Sequence, residues 1–309
     1  MNPAIVEKDF WVCWILKHLF AEPPLKTQMV FKGGTSLSKV FGLIDRFSED
    51  IDLVLDWRLL GYDQAGANNP YQVTTSKTQQ SRQNQEMNAR AVAYIRDTFL
   101  AQLNLLFSPI SGIAARIAED DSHTVNVFYP AAFEAGYIRP TVRLEIGPLA
   151  SWVPSHVHSI SAYAAQAFPR AFSNPAFEVI AIDAERTFWE KATILHQEAH
   201  RPGAIPARYS RHYYDLYKLS ESPIRRAALS DLALLKSVVA FKERFYYSSW
   251  ARYDLAIPGS FRLSPAVSQL PALEKDYRAM REMFYREPPT FEKILAGLTS
   301  LEDEINIEK

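Results

Sequence analysis

The sequence predicts an α/β fold of the α+β kind, with a mixed-sheet core over roughly residues 25–183 and a helical C-terminal half. Three patterns predict it. Residues 28–32, the pair Gly33-Gly34 and the stretch 48–53 read as a strand, a tight turn opening a short helix, and a second strand that carries two carboxylates. Strand-like runs follow at 113–117, 124–129, 138–146 and 177–182. In the third of these, Val142, Leu144 and Ile146 alternate with Thr141, Arg143 and Glu145, which is the period of a half-buried strand. From Ala184 onward the chain reads as helical. The expected division is therefore 1–183, a sheet domain with an N-terminal helix, and 184–309, a helical domain.

Taken in order, Asn2 can cap a helix and Pro3 suits its first turn. That helix is expected over Pro3–Phe20, with Val6, Phe10, Cys13, Trp14 and Leu19 facing inward, until Pro23-Pro24 ends it. Lys8 and Asp9 near its start read, on their own, as an exposed charged pair. Leu37, Val40, Phe41 and Ile44 have the spacing of one helical face, and Arg46-Phe47-Ser48 returns the chain to the second strand. The composition turns polar from Gly61 and predicts a long loop, then a helix over 81–106; the loop reads equally as a lid or as a tether. After the sheet, helices are expected at 184–200, 208–219, 223–248, 269–285 and 290–306, with Arg201-Pro202-Gly203 breaking the first. Tyr209, Tyr213 and Leu216 take the core side of the second.

The composition, with 48% hydrophobic and 22% charged residues over 309, is that of a globular chain with ample core material. One cysteine, Cys13, excludes an intrachain disulfide and reads as a buried thiol. No apolar run reaches membrane-spanning length and no signal peptide opens the sequence, so the expectation is a cytoplasmic protein without a membrane partner. A net charge of −1 conceals an uneven distribution: residues 201–262 carry eleven Lys/Arg against five Asp/Glu. With Phe241, Phe245, Tyr246, Tyr247, Trp250 and Tyr253 interleaved, this stretch fits a nucleic-acid or triphosphate surface and fits equally an amphipathic helix with solvated charges.

The chemistry concentrates in Phe31-Lys32-Gly33-Gly34-Thr35-Ser36 and Asp50-Ile51-Asp52. Side chains alternate along a strand, so Asp50 and Asp52 share one face while Ile51, Leu53 and Leu55 take the other. Two carboxylates opposite a glycine turn that opens a helix suit Mg²⁺ and phosphate together. Gly33 and Gly34 permit close backbone approach, and Thr35 and Ser36 offer hydroxyls and N–H groups to the distal phosphates of an NTP. A Walker A loop requires Gly-Lys-Ser/Thr at its end, which Ser38-Lys39-Val40 does not supply. Asp56 lies on the same face but farther along and reads as peripheral. Glu145, on a neighbouring strand, reads on its own as a solvent-facing glutamate, and takes a metal-ligand role only through a family resemblance. Lys191 sits among Thr187, Phe188, Ile194 and Leu195 on its helix, so its ammonium needs an anion: a triphosphate, unless the side chain snorkels to water. Asp215 shares a face with Arg211, His212 and Lys218, which local salt bridges would explain.

These blocks, together with Glu7-Lys8-Asp9-Phe10-Trp11, Arg186-Thr187-Phe188-Trp189-Glu190-Lys191 and Arg211-His212-Tyr213-Tyr214-Asp215-Leu216-Tyr217, resemble the AbiEii/AbiGii toxin nucleotidyltransferases of type IV toxin–antitoxin and phage-abortive systems. These belong to the nucleotidyltransferase superfamily typified by DNA polymerase β. The resemblance implies transfer of an NMP from an NTP to an acceptor hydroxyl, with tRNA 3′ ends as acceptor and a cognate antitoxin as partner. It implies Asp50, Asp52 and Glu145 as holders of two Mg²⁺ ions, Gly33–Ser36 as the phosphate cradle, and Lys191 and Asp215 in a site that the helical domain completes. Asp215 would position the acceptor or act as a base, and Lys8-Asp9 would lie beside the site. Two alternatives remain at this point: an NTP-binding regulatory protein without turnover, and a nucleotidyltransferase that modifies a protein.

Overall fold

Seven strands form one mixed sheet in the computed structural model, which describes residues 2–21, 23–63, 69–70, 76–133, 139–149 and 151–307. The described residues divide into two compact units, Met1–Val40 with Ser48–Ile182, and Phe41–Phe47 with Asp183–Lys309. The chain therefore leaves the first unit after the glycine-turn helix, contributes seven residues to the second, and returns at Ser48.

The first unit opens with α1 (Pro3–Ala21), whose Asn2 side chain accepts a hydrogen bond from the Ala4 N–H at 2.9 Å. The buried stripe is Ile5, Val12, Ile15, Leu16 and Leu19 with Cys13. Val6, Phe10 and Trp14, expected inside, are only half-buried. Strand β1 (Met29–Lys32) leads directly into α2 (Gly33–Lys39), and β2 (Ile51–Leu55) runs antiparallel to β1. Asp56 is buried and caps the 3₁₀ turn Trp57–Leu60, accepting the Arg58 N–H at 2.8 Å, a structural role that agrees with its peripheral reading.

The polar stretch after Gly61 lies partly outside the described residues. Helix α3 (Lys77–Tyr94) starts earlier than expected because Ser76 accepts the Gln79 N–H at 3.2 Å; it passes through a π turn at Ile95–Phe99 into α4 (Leu100–Phe107). Then come β3 (Ala114–Ile117), β4 (Thr124–Phe128), β5 (Thr141–Gly147), β6 (Ser155–Ile160), α5 (Tyr163–Ala167) and β7 (Phe177–Ile182). The start of the expected 138–146 strand, Ile138, lies outside the described residues.

The sheet order is β3-β4-β5-β2-β1-β7-β6. The pairs β2–β5 and β1–β7 are parallel and the rest antiparallel. Val125, Val127, Val142, Leu144, Ile146, Ile51 and Leu53 are buried on the apolar side.

In the second unit, Arg46 forms an isolated antiparallel bridge with Phe284, and the Tyr285 N–H donates to the Asp45 carbonyl at 2.9 Å. The helices are α6 (Ala184–Ala199), α7 (Ser210–Ser220), α8 (Ile224–Leu229), α9 (Leu232–Phe245), α10 (Leu270–Ala279) and α11 (Phe291–Ile307). The single helix expected over 223–248 is two, because Asp231 starts a new one by accepting the Leu234 N–H at 2.9 Å. Asp276 of α10 caps α7, accepting the N–H groups of Arg208 (2.7 Å) and Ser210 (2.9 Å). Gly297 lets α11 approach α7: a Cβ there would lie 2.6 Å from the Tyr217 ring. Among the described residues no helix is long and apolar enough to cross a membrane.

Candidate active site

The strand register of the first unit assembles the acidic corner. Asp52 on β2 lies beside Lys32 on β1 and beside Glu145 on β5. Asp50 sits just before β2, in register with Arg143 by extension of the same pairing, and its charge acts on that guanidinium. Arg143 also lies 3.9 Å from the Glu145 carboxylate and 3.3 Å from Asp120. Asp50 and Asp52 are half-buried, whereas Glu145 is 45% exposed.

Gly33 adjoins this corner in the left-handed conformation, φ +81°, and a Cβ at that position would overlap the Asp52 carboxylate. Glycine is thus required twice over, for its torsion and for its lack of a side chain. Gly33 and Gly34 are half-buried, while Thr35 and Ser36 are buried. The Thr35 hydroxyl lies 2.9 Å from the Ser48 hydroxyl and also bonds the Asp50 carbonyl; the Ser36 hydroxyl donates to the Gly33 carbonyl at 2.9 Å. Thr35 therefore ties the turn to the segment that carries Asp50, Ser36 holds the turn itself, and what the turn offers a ligand is backbone.

Lys8 and Asp9 are 2% and 3% exposed, so the reading of them as an exposed pair is overturned. Lys8 is ion-paired with Glu49, next to Asp50, and donates to the Arg139 carbonyl at 3.1 Å. Asp9 accepts from Lys39, at the end of α2, and from the Tyr163 N–H, both at 2.7 Å. Burial alone would lower the Lys39 pKa, but the Cys13 and Asp9 groups beside it outweigh burial and raise it. The Cys13 thiol is pushed up to about 12 by burial, with Asp9 adding to it, which leaves it protonated and inert.

The second unit gathers Lys191 and Asp215 with two residues the sequence reading did not select. Arg46 grips Asp215 in bidentate fashion, at 2.7 Å from Oδ1 and 2.8 Å from Oδ2. Lys191 Nζ lies 2.8 Å from Asp215 Oδ2 and 3.1 Å from His212 Nδ1. An ammonium only donates, so His212 accepts at Nδ1 and carries its proton on Nε2. Burial and then Lys191 depress the His212 pKa well below its usual value. Burial pushes the Asp215 carboxyl up, but Arg46 and Lys191 together hold it well below the usual carboxylate range. A carboxylate held so strongly by two cations is a weak proton acceptor and a good anchor for Lys191.

Four of the eleven cations of the basic stretch 201–262 are held in ion pairs. Arg201, Lys218, Arg225 and Arg252 pair with Glu198, Asp45, Glu304 and Asp254. Lys242 and Arg244 lie over the rings of Tyr246 and Phe245. This favours the amphipathic, solvated reading of that stretch.

The model of the AbiEii nucleotidyl transferase toxins, type IV toxin–antitoxin system, matches residues 14–297. The chain belongs to that family. It is a nucleotidyltransferase toxin, and the family implies an NTP substrate and an antitoxin partner. Among solved structures, MenT4, a nucleotidyltransferase toxin from Mycobacterium tuberculosis H37Rv, is similar at 14% identity and a TM-score of 0.42, over 99% of this chain and 94% of that one. A candidate nucleotidyltransferase from H. pylori is similar at 16% identity and a TM-score of 0.44, over 99% and 96%. No curated protein sequence matches the chain.

Among the described residues, no three His, Cys, Asp or Glu side chains are gathered as a ready-made metal site. The AbiEii corner instead offers Asp52 beside Glu145, with Asp50 next along. That fits Mg²⁺, which takes one or two carboxylates and completes its shell with water and substrate phosphates.

Proposed function

We propose that this AbiEii protein transfers an NMP from an NTP to an acceptor hydroxyl on RNA, at tRNA 3′ ends, with Mg²⁺ at the Asp50–Asp52–Glu145 corner. The observation that carries the reading is the seating of Gly33 against Asp52 in register with Glu145. Phosphate-binding backbone and metal-binding carboxylates meet at one point of the sheet. When bound, Mg²⁺ would stabilise the negative charge that develops at the α-phosphate and lower the pKa of the attacking hydroxyl. Gly33 and Gly34 present backbone to the distal phosphates, while Thr35 and Ser36 hold that backbone and the Asp50 segment in place. In the second unit Asp215, clamped by Arg46, orients the Lys191 ammonium as a cation for phosphate. Pyrophosphate leaves as the acceptor oxygen bonds to the α-phosphorus.

Purified protein incubated with Mg²⁺, each α-labelled NTP and total tRNA should place label in RNA. Label appearing in protein instead would redirect the acceptor assignment, and nucleotide binding with no transfer would overturn the reaction.

A further inference from the structure

The polar face of the sheet continues past the acidic corner. Register places Asp50, Arg143, Asn126 and Arg116 in one row across β2, β5, β4 and β3. One pleat farther, about 7 Å along β4, stands Phe128, opposite Thr141 and Ala114. Phe128 is 40% exposed and Arg116 is exposed, its guanidinium 5.8 Å from the centre of the Phe128 ring. Asn126 Oδ1 is shielded from solvent and has no hydrogen-bond partner among the described residues.

A shielded amide oxygen with no donor among the described residues and an exposed aromatic ring beside the Arg116 guanidinium lie together on this face, while Arg143 is already engaged by Asp120 and Glu145. Together they match one chemistry. The ring is a stacking platform for a base, the exposed Arg116 guanidinium meets a phosphate oxygen, and the half-buried Asn126 amide turns outward to take a ribose O–H or base N–H. We propose that this face of β3, β4 and β5 binds the single-stranded end of the nucleic-acid acceptor and leads it to the acidic corner. The proposal rests on the transfer reading of that corner and adds to it the path by which the acceptor arrives. Arg143 stands at the junction, between Asp50 and Glu145 on one side and the row on the other.

The test uses the full-length protein and a fluorescein-labelled single-stranded oligoribonucleotide, with binding read by anisotropy across a salt series. Arg116→Ala, Asn126→Ala and Phe128→Ala should each weaken binding about tenfold. Phe128→Trp should restore it, and Arg116→Ala should also lower the slope of log affinity against log salt by about 1. In the transfer assay the same three variants should raise KM for RNA while KM for NTP stays unchanged. Lys293→Ala, on α11, serves as a control that changes neither. Unchanged affinity and unchanged KM for RNA in all three variants would overturn the inference. Should Asp52→Asn still abolish transfer in that case, the catalytic reading would stand alone; should Asp52→Asn transfer normally, the catalytic reading itself would fail. Label directed to protein by an enzyme that does not bind the oligonucleotide would likewise overturn the acceptor path.

Discussion

Arg46 shows how much one side chain can hold. Its guanidinium is buried and satisfies both oxygens of Asp215, a partner 169 residues away in sequence. Removing one member of a buried pair leaves the other charge uncompensated, so Arg46→Met should destabilise the protein by about 3–5 kcal/mol, read from urea unfolding. A loss under about 1 kcal/mol would mean that Lys191 alone satisfies Asp215. Gly33 is as constrained: Gly33→Ala must strain a positive φ and displace the Asp52 carboxylate. Transfer should fall at least about 100-fold, whereas Gly42→Ala, also at positive φ but with open space around it, should leave the rate nearly unchanged. The sequence made Asp52, Glu145 and Gly33 legible because each follows from a strand period or a turn. It could not reveal Arg46, a single arginine in a linking segment, because only the fold brings Asp215 to it. For the same reason Lys191 and Asp215 were selected separately, and their pairing through one carboxylate oxygen came only from coordinates.

Among the secondary-structure elements, the regular ones were readable and the polar ones were not. Strand β5 was found from its alternation, and α6 from its apolar stripe and the Pro-Gly break after it. Strand β6 was missed because it is an edge strand: His156, Val157 and Ser159 are exposed, so Ser155–Ile160 carries no alternating apolar signal. The break between α8 and α9 was missed because the apolar period continues across it, although Ser230-Asp231 is a helix-start signal. Asp231→Ala should cost about 1 kcal/mol, the ordinary worth of an N-cap. The α7–α11 contact is the tighter constraint. Gly297→Ala would force the Tyr217 ring to move, and a loss of about 1–3 kcal/mol in urea unfolding should follow; an unchanged midpoint would show that the ring has room to give.

For the whole molecule, buried His196, half-buried His212 and buried Asp215 contribute to the response to acid. His196 donates from Nε2 to the Arg252 carbonyl at 2.9 Å and accepts the Arg262 N–H at Nδ1 at 3.1 Å, so its neutral form is locked in. Burial lowers its pKa from 6.5 to about 4. A histidine depressed in this way binds its proton better when unfolded, so stability falls as pH drops below about 6.5. From pH 7 to pH 5 the loss should be about 2 kcal/mol from His196, with His212 adding in the same direction. The Asp215 contribution persists to lower pH and is lost only below its unfolded value of about 3.8. Urea unfolding at pH 7 and pH 5 measures this, and His196→Gln should flatten the difference; an equal slope in the variant would remove His196 as the cause. The two-unit division, with residues 41–47 belonging to the helical unit, was not readable, since it depends on Asp45, Arg46 and Phe47 meeting residues 283–285.

In the proposed reaction the acidic corner is the place where the α-phosphate reacts. The direct measurement is transfer from α-labelled and γ-labelled NTP, in parallel, by the unaltered protein and by Asp52→Asn, with thermal unfolding confirming that both are folded. Label from the α-position should reach RNA only with the unaltered protein, and label from the γ-position should leave in pyrophosphate and reach no RNA. Transfer of α-label by a folded Asp52→Asn protein at the unaltered rate would contradict the account.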